Sequence, residues 1–287
     1  MMNHDIDKLA ETTGFPDFLA CPICRGDLKF FPGGYSCLSC EKQGETRGRV
    51  FLSQPAASTH YFDEKHVVMQ EGNDTDAVQQ LCYAEQSRIA ESLIVPGDVV
   101  VDIGCGPSLH YRRPEGAVVV GLDPSLKSLM VNNALDLAVY GSATAMPIKD
   151  QSVDRLFMFY AIHHMIGTTV EENRLNLDSV LRECRRVVRP GGSIVIFDMS
   201  PWFPAWIVQN LMWNWAKRKL GGKLDMYFWR HSALDRLSVG LRPFARFESR
   251  VFHTSPWLVF PPVFSLPALR VPRILYPFGV RMYRWSF

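Results

Sequence analysis

Cysteine stands at positions 21, 24, 37 and 40, two Cys-x-x-Cys pairs with twelve residues between them. Each pair presents two thiolates from one tight turn, and four thiolates suit zinc. The competing chemistries are a redox pair or two disulfides. A redox motif needs one pair rather than two, and no βαβ pattern surrounds these. Four thiolates fill the tetrahedron, so Cys21, Cys24, Cys37 and Cys40 are expected to hold Zn2+ structurally. A unit of about 30 residues buries too little apolar surface to fold without such a staple. A second cluster is Asp102-Ile-Gly104-Cys105-Gly106, followed by Asp123. Glycine serves where the backbone needs positive φ or where a ligand touches bare backbone. An acid ending the next strand can accept both hydroxyls of a ribose. The third cluster is His163-His164. Histidine has a pKa suited to taking a proton from a nucleophile. The plainer alternative is that one histidine contacts a cofactor and the other packs.

These residues need elements to position them. Val99–Ser108 reads VVVDIGCGPS: a short apolar run, then a sharp glycine turn. Such a run fits a strand buried on both faces. Gly116–Asp123, GAVVVGLD, reads as a second strand ending in an acid. Strand, glycine turn, strand and acid make the nucleoside-binding half of a doubly wound sheet. The dinucleotide fingerprint itself is not met, because Leu109 stands at its third glycine. Between Gly106 and Val118, Pro107 and Pro114 shorten the connecting helix to a turn or a loop. Periodicity predicts helices at Thr75–Ile94, Pro124–Ala134 and Leu175–Val188. Strands are expected at Leu137–Tyr140, Val153–Ile162 and Ser193–Asp198. Asp123 has a rival reading as the cap of the helix that Pro124 opens.

Two further segments follow in order: Gly141–Asp154, GSATAMPIKDQSVD, and Val180–Asp198, VLRECRRVVRPGGSIVIFD. With DIGCG and GLDPS they closely resemble the class I S-adenosylmethionine-dependent methyltransferases, over roughly residues 75–254. The resemblance implies an α/β fold: a doubly wound, mostly parallel, seven-stranded Rossmann-like sheet, here with a small N-terminal zinc ribbon. It implies S-adenosylmethionine as cofactor. Asp102, Gly104, Cys105 and Gly106 would hold its methionine part, and Asp123 with Pro124 its ribose. Ala143, Thr144 and Met146 would hold the adenine, with Tyr160 also in contact. His163 or His164 would act as base. Family members commonly carry an acid for the adenine amino group where this chain has Ser142.

Composition sets wider bounds. At 287 residues there is room for one large domain and a small one. Apolar content of 47% and charged content of 21% belong to a folded chain. A net charge of +2 gives no whole-chain argument for nucleic acid. No uninterrupted apolar run approaches the roughly 20 residues of a membrane span. The opening residues, MMNHDIDKLAETTG, carry acids and no apolar centre, unlike a secretory signal. Seven cysteines, an odd number, suit a reducing compartment, so a cytoplasmic location is expected. The expected organisation is a ribbon at 1–53, a linker and first helix at 54–95, the cofactor-binding core at 96–254, and an aromatic, proline-rich region at 255–287.

That last third bears on the acceptor. Trp202–Arg218, WFPAWIVQNLMWNWAKR, holds four tryptophans and no acid, in the manner of an interfacial helix. Residues 255–287 combine aromatics with Arg270, Arg273, Arg281 and Arg284 and again no acid. This suits an apolar acceptor pocket or peripheral contact with the inner, anionic face of a membrane. The alternative is that the segment supplies the last hairpin of the sheet. The expected acceptor is a small or lipid-linked apolar molecule, methylated on oxygen or nitrogen. An RNA methyltransferase is the first alternative, and it requires a continuous basic stripe from ribbon to site. The second is a non-catalytic ribbon adaptor with a degenerate core.

Overall fold

The computed structural model describes residues 15–54, 77–252, 257–260, 269–272 and 278–287. Expectations placed on 1–14, on the linker at 55–76 and on the remaining C-terminal stretches lie outside the described residues.

The ribbon contributes four short strands: β1 (Leu28–Phe31), β2 (Gly34–Cys37), β3 (Gln43–Arg47) and β4 (Val50–Leu52). Then follow helix α1 (Ala77–Leu93), β5 (Val99–Ile103), β6 (Val118–Asp123), α2 (Leu126–Val131), β7 (Leu137–Tyr140) and β8 (Val153–Phe159). The second half is α3 (Val170–Val187), β9 (Val188–Pro201), α4 (Phe203–Leu220), α5 (His231–Leu237) and β10 (Arg246–Val251). A two-stranded sheet of β11 (Trp257–Phe260) and β12 (Leu269–Pro272) precedes the last strand, β13 (Phe278–Ser286).

The central strands are apolar along their length because both faces are covered. In β8, Leu156 and Met158 join one core while Phe157 and Phe159 join the other. In β9, Ile194 and Ile196 divide from Val195 and Phe197 in the same way. The first core takes Leu177, Val180, Leu181, Cys184 and Val187 of α3. The second takes Cys82 and Ala90 of α1 and Leu129 of α2. Period-two alternation sends successive side chains to opposite layers, so an unbroken apolar run is what two-sided burial demands. Helix α3 is capped at Thr169, whose side chain accepts from the Glu172 N–H. Its first turn carries Glu171 and Glu172 and its last Arg185 and Arg186, each matching the helix dipole.

The sheet runs β1-β2-β3-β4-β7-β6-β5-β8-β9-β13-β10. Its last seven members are the expected doubly wound sheet, parallel from β7 to β9 and closed by antiparallel β13 and β10. The ribbon does not stand apart from it. Strand β4 pairs in parallel with β7, so the sheet is eleven strands wide.

Three open sequence readings are decided. As Pro107 and Pro114 lead one to expect, the connection from β5 to β6 is a loop without a helix, and its Tyr111 and Ala117 fill the second core. Helix α2 is six residues long and is capped by Ser125, whose hydroxyl accepts from the Ser128 N–H. Asp123 is therefore not its cap. Finally, of the two readings of the last segment, residues 278–286 take the one in the sheet. They form an inner strand between β9 and β10, with Tyr283 and Trp285 in the first core and Met282 in the second.

Candidate active site

A cavity of about 550 Å³ opens where the chain leaves the carboxyl ends of β5, β6, β7 and β8. Crevices at that edge of a doubly wound sheet are where ligands bind. Its wall includes Gly104, Cys105, Gly106, Asp123, Pro124, Ala143, Thr144, Tyr160 and His164, all named from sequence.

The glycine turn is built for close approach. Gly104 has φ +70°, and a Cβ there would meet the Ala161 Cβ at 2.5 Å. Gly106 has φ +55°, and its N–H donates to Asp123 Oδ2 at 3.0 Å. Asp123 Oδ1 accepts from the Ser125 N–H at 2.7 Å. A carboxylate has about four lone-pair sites. The two backbone bonds fix the carboxylate's orientation at the cavity wall. Behind the turn sits Asp102, fully buried, with Oδ2 lacking a partner among the described residues. Burial first, and the Asp123 charge second, push its carboxyl well above the usual carboxylate range. An orphaned buried carboxyl oxygen directly behind a glycine turn is an acceptor left open to what that turn holds. Together these features fit S-adenosylmethionine.

Three sequence-named residues are not on the cavity wall. Asp102 is covered by the turn itself. The Met146 side chain is in the first core, and its N–H donates to Glu183 Oε2 at 2.8 Å. His163 is buried with Nδ1 2.7 Å from Asp198 Oδ1, and its ring lies 5.1 Å from that of Phe228. His164 does reach the wall, and its Nδ1 lies 2.9 Å from the Asp225 carbonyl. A carbonyl only accepts, so Nδ1 carries the proton in the neutral ring and Nε2 bears the lone pair.

Sequence reasoning missed other wall residues: Ser108 and His110 in the loop, Phe159, Met165, Ile166, and Asn176 and Val180 of α3. No local motif marks them; they arrive by topology. Tyr160 holds φ +53°, the left-handed region that tyrosine seldom adopts, and its hydroxyl accepts from Gln86 Nε2 of α1 at 2.7 Å. Ser142, in place of an acid, bonds its hydroxyl to that of Thr144 at 2.8 Å.

The four cysteines converge as their spacing requires. Their sulfurs lie within 4.8 Å of one another, with Cys24–Cys37 at 3.4 Å and Cys21–Cys40 at 3.7 Å. A zinc tetrahedron with bonds of about 2.3 Å has sulfur–sulfur edges of about 3.8 Å. Backbone N–H groups of Ile23, Gly26 and Ser39 point at Cys21, Cys24 and Cys37. Such donors favour thiolate, and those of Cys40 and Ser39 hold the Cys37 thiol below its usual value, while the neighbouring thiols push those of Cys24 and Cys40 up. The donor set fits zinc.

Comparison with known proteins agrees with the cavity. The family model described as a methyltransferase domain matches residues 101–196. That match and the relatives below support an S-adenosylmethionine-dependent methyltransferase domain in this chain. An uncharacterized methyltransferase of Synechocystis is 30% identical over 148 residues, which are 46% of this chain and 66% of that protein. Methyltransferase GfsG of Streptomyces halstedii is 31% identical over 143 residues, 44% of this chain and 48% of that protein. The chain thus spans about half to two thirds of the length of such relatives. Among solved structures, a chain from the complex of the Haloferax volcanii Trm112 methyltransferase activator with a methyltransferase superposes with a TM-score of 0.54. It is 18% identical, and the match covers 80% of this chain and 99% of that one. That likeness extends the shared fold well beyond the methyltransferase domain's matched segment.

Proposed function

We propose that this protein transfers a methyl group from S-adenosylmethionine to an oxygen, or a nitrogen, of a small apolar or lipid-linked acceptor. When bound, the cofactor supplies a methyl group already activated towards nucleophiles. The chain's own work is to bind, align and exclude water, and alignment carries most of such a rate. The observation that carries the reading is the graded lining of the cavity. Towards β6 and β7 it carries the polar Asp123, Ser142 and Thr144; towards β8 and α3 it is mainly apolar, with Phe159, Met165, Ile166 and Val180 around Tyr160, His164 and Asn176. The polar side suits a nucleoside. The apolar side, with His164 on it, suits an acceptor whose hydroxyl must lose a proton. The turn 104–106, with Asp102 behind it, would hold the methionine part, Asp123 the ribose, and the backbone of Ala143 and Thr144 the adenine. We assign proton removal to His164 Nε2.

The arginines of α3, with Arg189 at the start of β9, weigh against RNA. Arg182 pairs with Asp178, Arg186 with Glu183 and Asp150, and Arg189 with Asp154, while Arg185 lies over the Phe287 ring. Side chains held in this way do not make the basic stripe that RNA recognition needs. We also infer that the four cysteines hold one structural zinc ion, in a reducing compartment such as the cytoplasm, where none of the seven cysteines needs to enter a disulfide.

Calorimetry with S-adenosylhomocysteine tests the class. The unmutated chain is expected to bind one equivalent, and Asp123→Ala to bind at least about tenfold more weakly, the scale of a lost charged hydrogen bond. No binding by the unmutated chain leaves only the adaptor reading. Methyl-labelled cofactor incubated with the protein and a host extract tests the acceptor. Label in the organic-soluble fraction is expected; label in RNA overturns the acceptor class.

A further inference from the structure

Helix α4 is apolar on two sides. Its inner side is spent in the fold: Trp213 is buried against Tyr227 with ring centroids 5.0 Å apart, and Gln209 bonds the Phe228 backbone from both ends of its amide. Its outer side carries Pro204, Val208, Leu211, Met212 and Trp215. These positions are spaced i, i+4, i+7, i+8 and i+11, so they form one stripe. All are exposed, Leu211 at 78% and Trp215 at 54%. Trp202 and Phe203 extend the apolar surface at the N-terminal end. A helix apolar all round is ordinarily buried, and a contiguous exposed patch of this kind marks a contact surface.

Charge indicates what it contacts. From Met199 to Leu224 there is no acidic residue, and the stripe runs into Arg218, Lys219 and Lys223. Tryptophan beside lysine and arginine is the composition that seats a helix at the boundary between headgroups and acyl chains. No described helix is long and apolar enough to cross a membrane, so this one would lie on the surface. The basic end also adjoins the cavity: two residues after Lys223, the Asp225 carbonyl bonds His164 Nδ1 on the cavity wall.

We propose that the outer face of α4 docks on an anionic lipid bilayer, with Val208, Leu211 and Trp215 entering the headgroup layer and Arg218, Lys219 and Lys223 on its phosphates. The proposal goes beyond the transfer reading and does not rest on it, since its test contains neither cofactor nor acceptor. The test is sedimentation of the full chain with phosphatidylcholine vesicles containing about one third phosphatidylglycerol, against phosphatidylcholine alone. Sedimentation with the anionic vesicles is expected. Leu211→Glu with Trp215→Glu should weaken it at least about tenfold, and Arg218→Ser with Lys219→Ser by about fivefold per cation removed. A wild-type chain that stays in the supernatant overturns the proposal, as does a Leu211→Glu, Trp215→Glu variant that sediments unchanged. Light scattering and thermal melts cover the other occupants. If the same variant splits a vesicle-free dimer, the face is an interface between copies. If it lowers the melting temperature by several degrees, the chain's own residues cover the stripe. Either result also overturns the proposal.

Discussion

His163 and His164 are neighbours in the chain with different surroundings. His163 is closed off between Asp198 and Phe228, while His164 stands on the cavity wall with its Nδ1 proton directed to a backbone carbonyl. Geometry ranks them where sequence left both open, because the deciding partners, Asp198 and Asp225, lie 35 and 61 residues away. His164→Gln is expected to reduce kcat by about 10²–10⁴, the usual worth of a positioned base, while cofactor affinity changes by less than about tenfold. His163→Gln should instead reduce thermal stability first, since it removes the partner of a buried carboxylate. Steady-state kinetics beside melting curves separate the two. A His164→Gln enzyme as fast as the parent would remove the base role. Asp102 and Met146 carry the same lesson at single residues. Their types and positions are right for the methyltransferase pattern, yet one is covered by the glycine turn and the other is drawn into the core.

At the scale of elements, the glycine turn after β5 is the tightest constraint on the site. Gly104 combines a left-handed backbone with a close neighbour, Ala161, at the end of β8. Gly33, in the turn from β1 to β2, has a similar φ of +82° but open space where its Cβ would be. The pair therefore separates backbone strain from overpacking. Gly33→Ala should lower stability by about 1–2 kcal/mol, the left-handed penalty alone. Gly104→Ala should lower it by about 1–3 kcal/mol more, which is several degrees further in melting temperature. Equal losses in the two would mean that Ala161 moves aside freely. The elements most readable from sequence were those with a strict local cause. The β5 and β6 runs are apolar because two cores flank them, and the paired cysteines converge because each turn is short. Less readable were elements whose form depends on distant cover. At 104–117 the prolines announce the missing helix, but not that Tyr111 fills the second core in its place. The aromatic C-terminal strand looks like a contact surface in one dimension and is an inner strand in three. Helix α4 is the mixed case: its sequence looks interfacial, and one of its tryptophans is core while its outer stripe is not.

Across the whole molecule, the ribbon is structurally continuous with the domain it precedes. Strand β4 pairs with β7, and aromatic stacking of Tyr35 on Phe51 and of Phe15 on Phe30 carries the first core into the ribbon. Arg25, in the turn of the first cysteine pair, reaches Glu183 of α3 at 2.7 Å. Burial opposes the charge on Glu183, but hydrogen bonds and the charge of Arg186 outweigh it, so the carboxyl is held below its usual value and the joint is ionised. The ribbon also ends against the cavity. Ser53 Oγ donates to the Tyr140 carbonyl at 2.8 Å, and a Cβ on Gly141, a wall residue, would meet that same oxygen at 2.3 Å. Metal at the cysteines would therefore act on the site through β4 and Ser53, with no ligand of its own to offer. Removing zinc with a chelator, or substituting Cys24→Ser, should free β4, lower the melting temperature by several degrees and weaken S-adenosylhomocysteine binding together with it. Metal analysis should find one zinc per chain beforehand, and re-addition should restore both properties. A chain that loses its zinc and keeps its cofactor affinity would show that β7 holds the adenine side of the cavity in place without β4, and that the ribbon's connection to the site is one of sequence only.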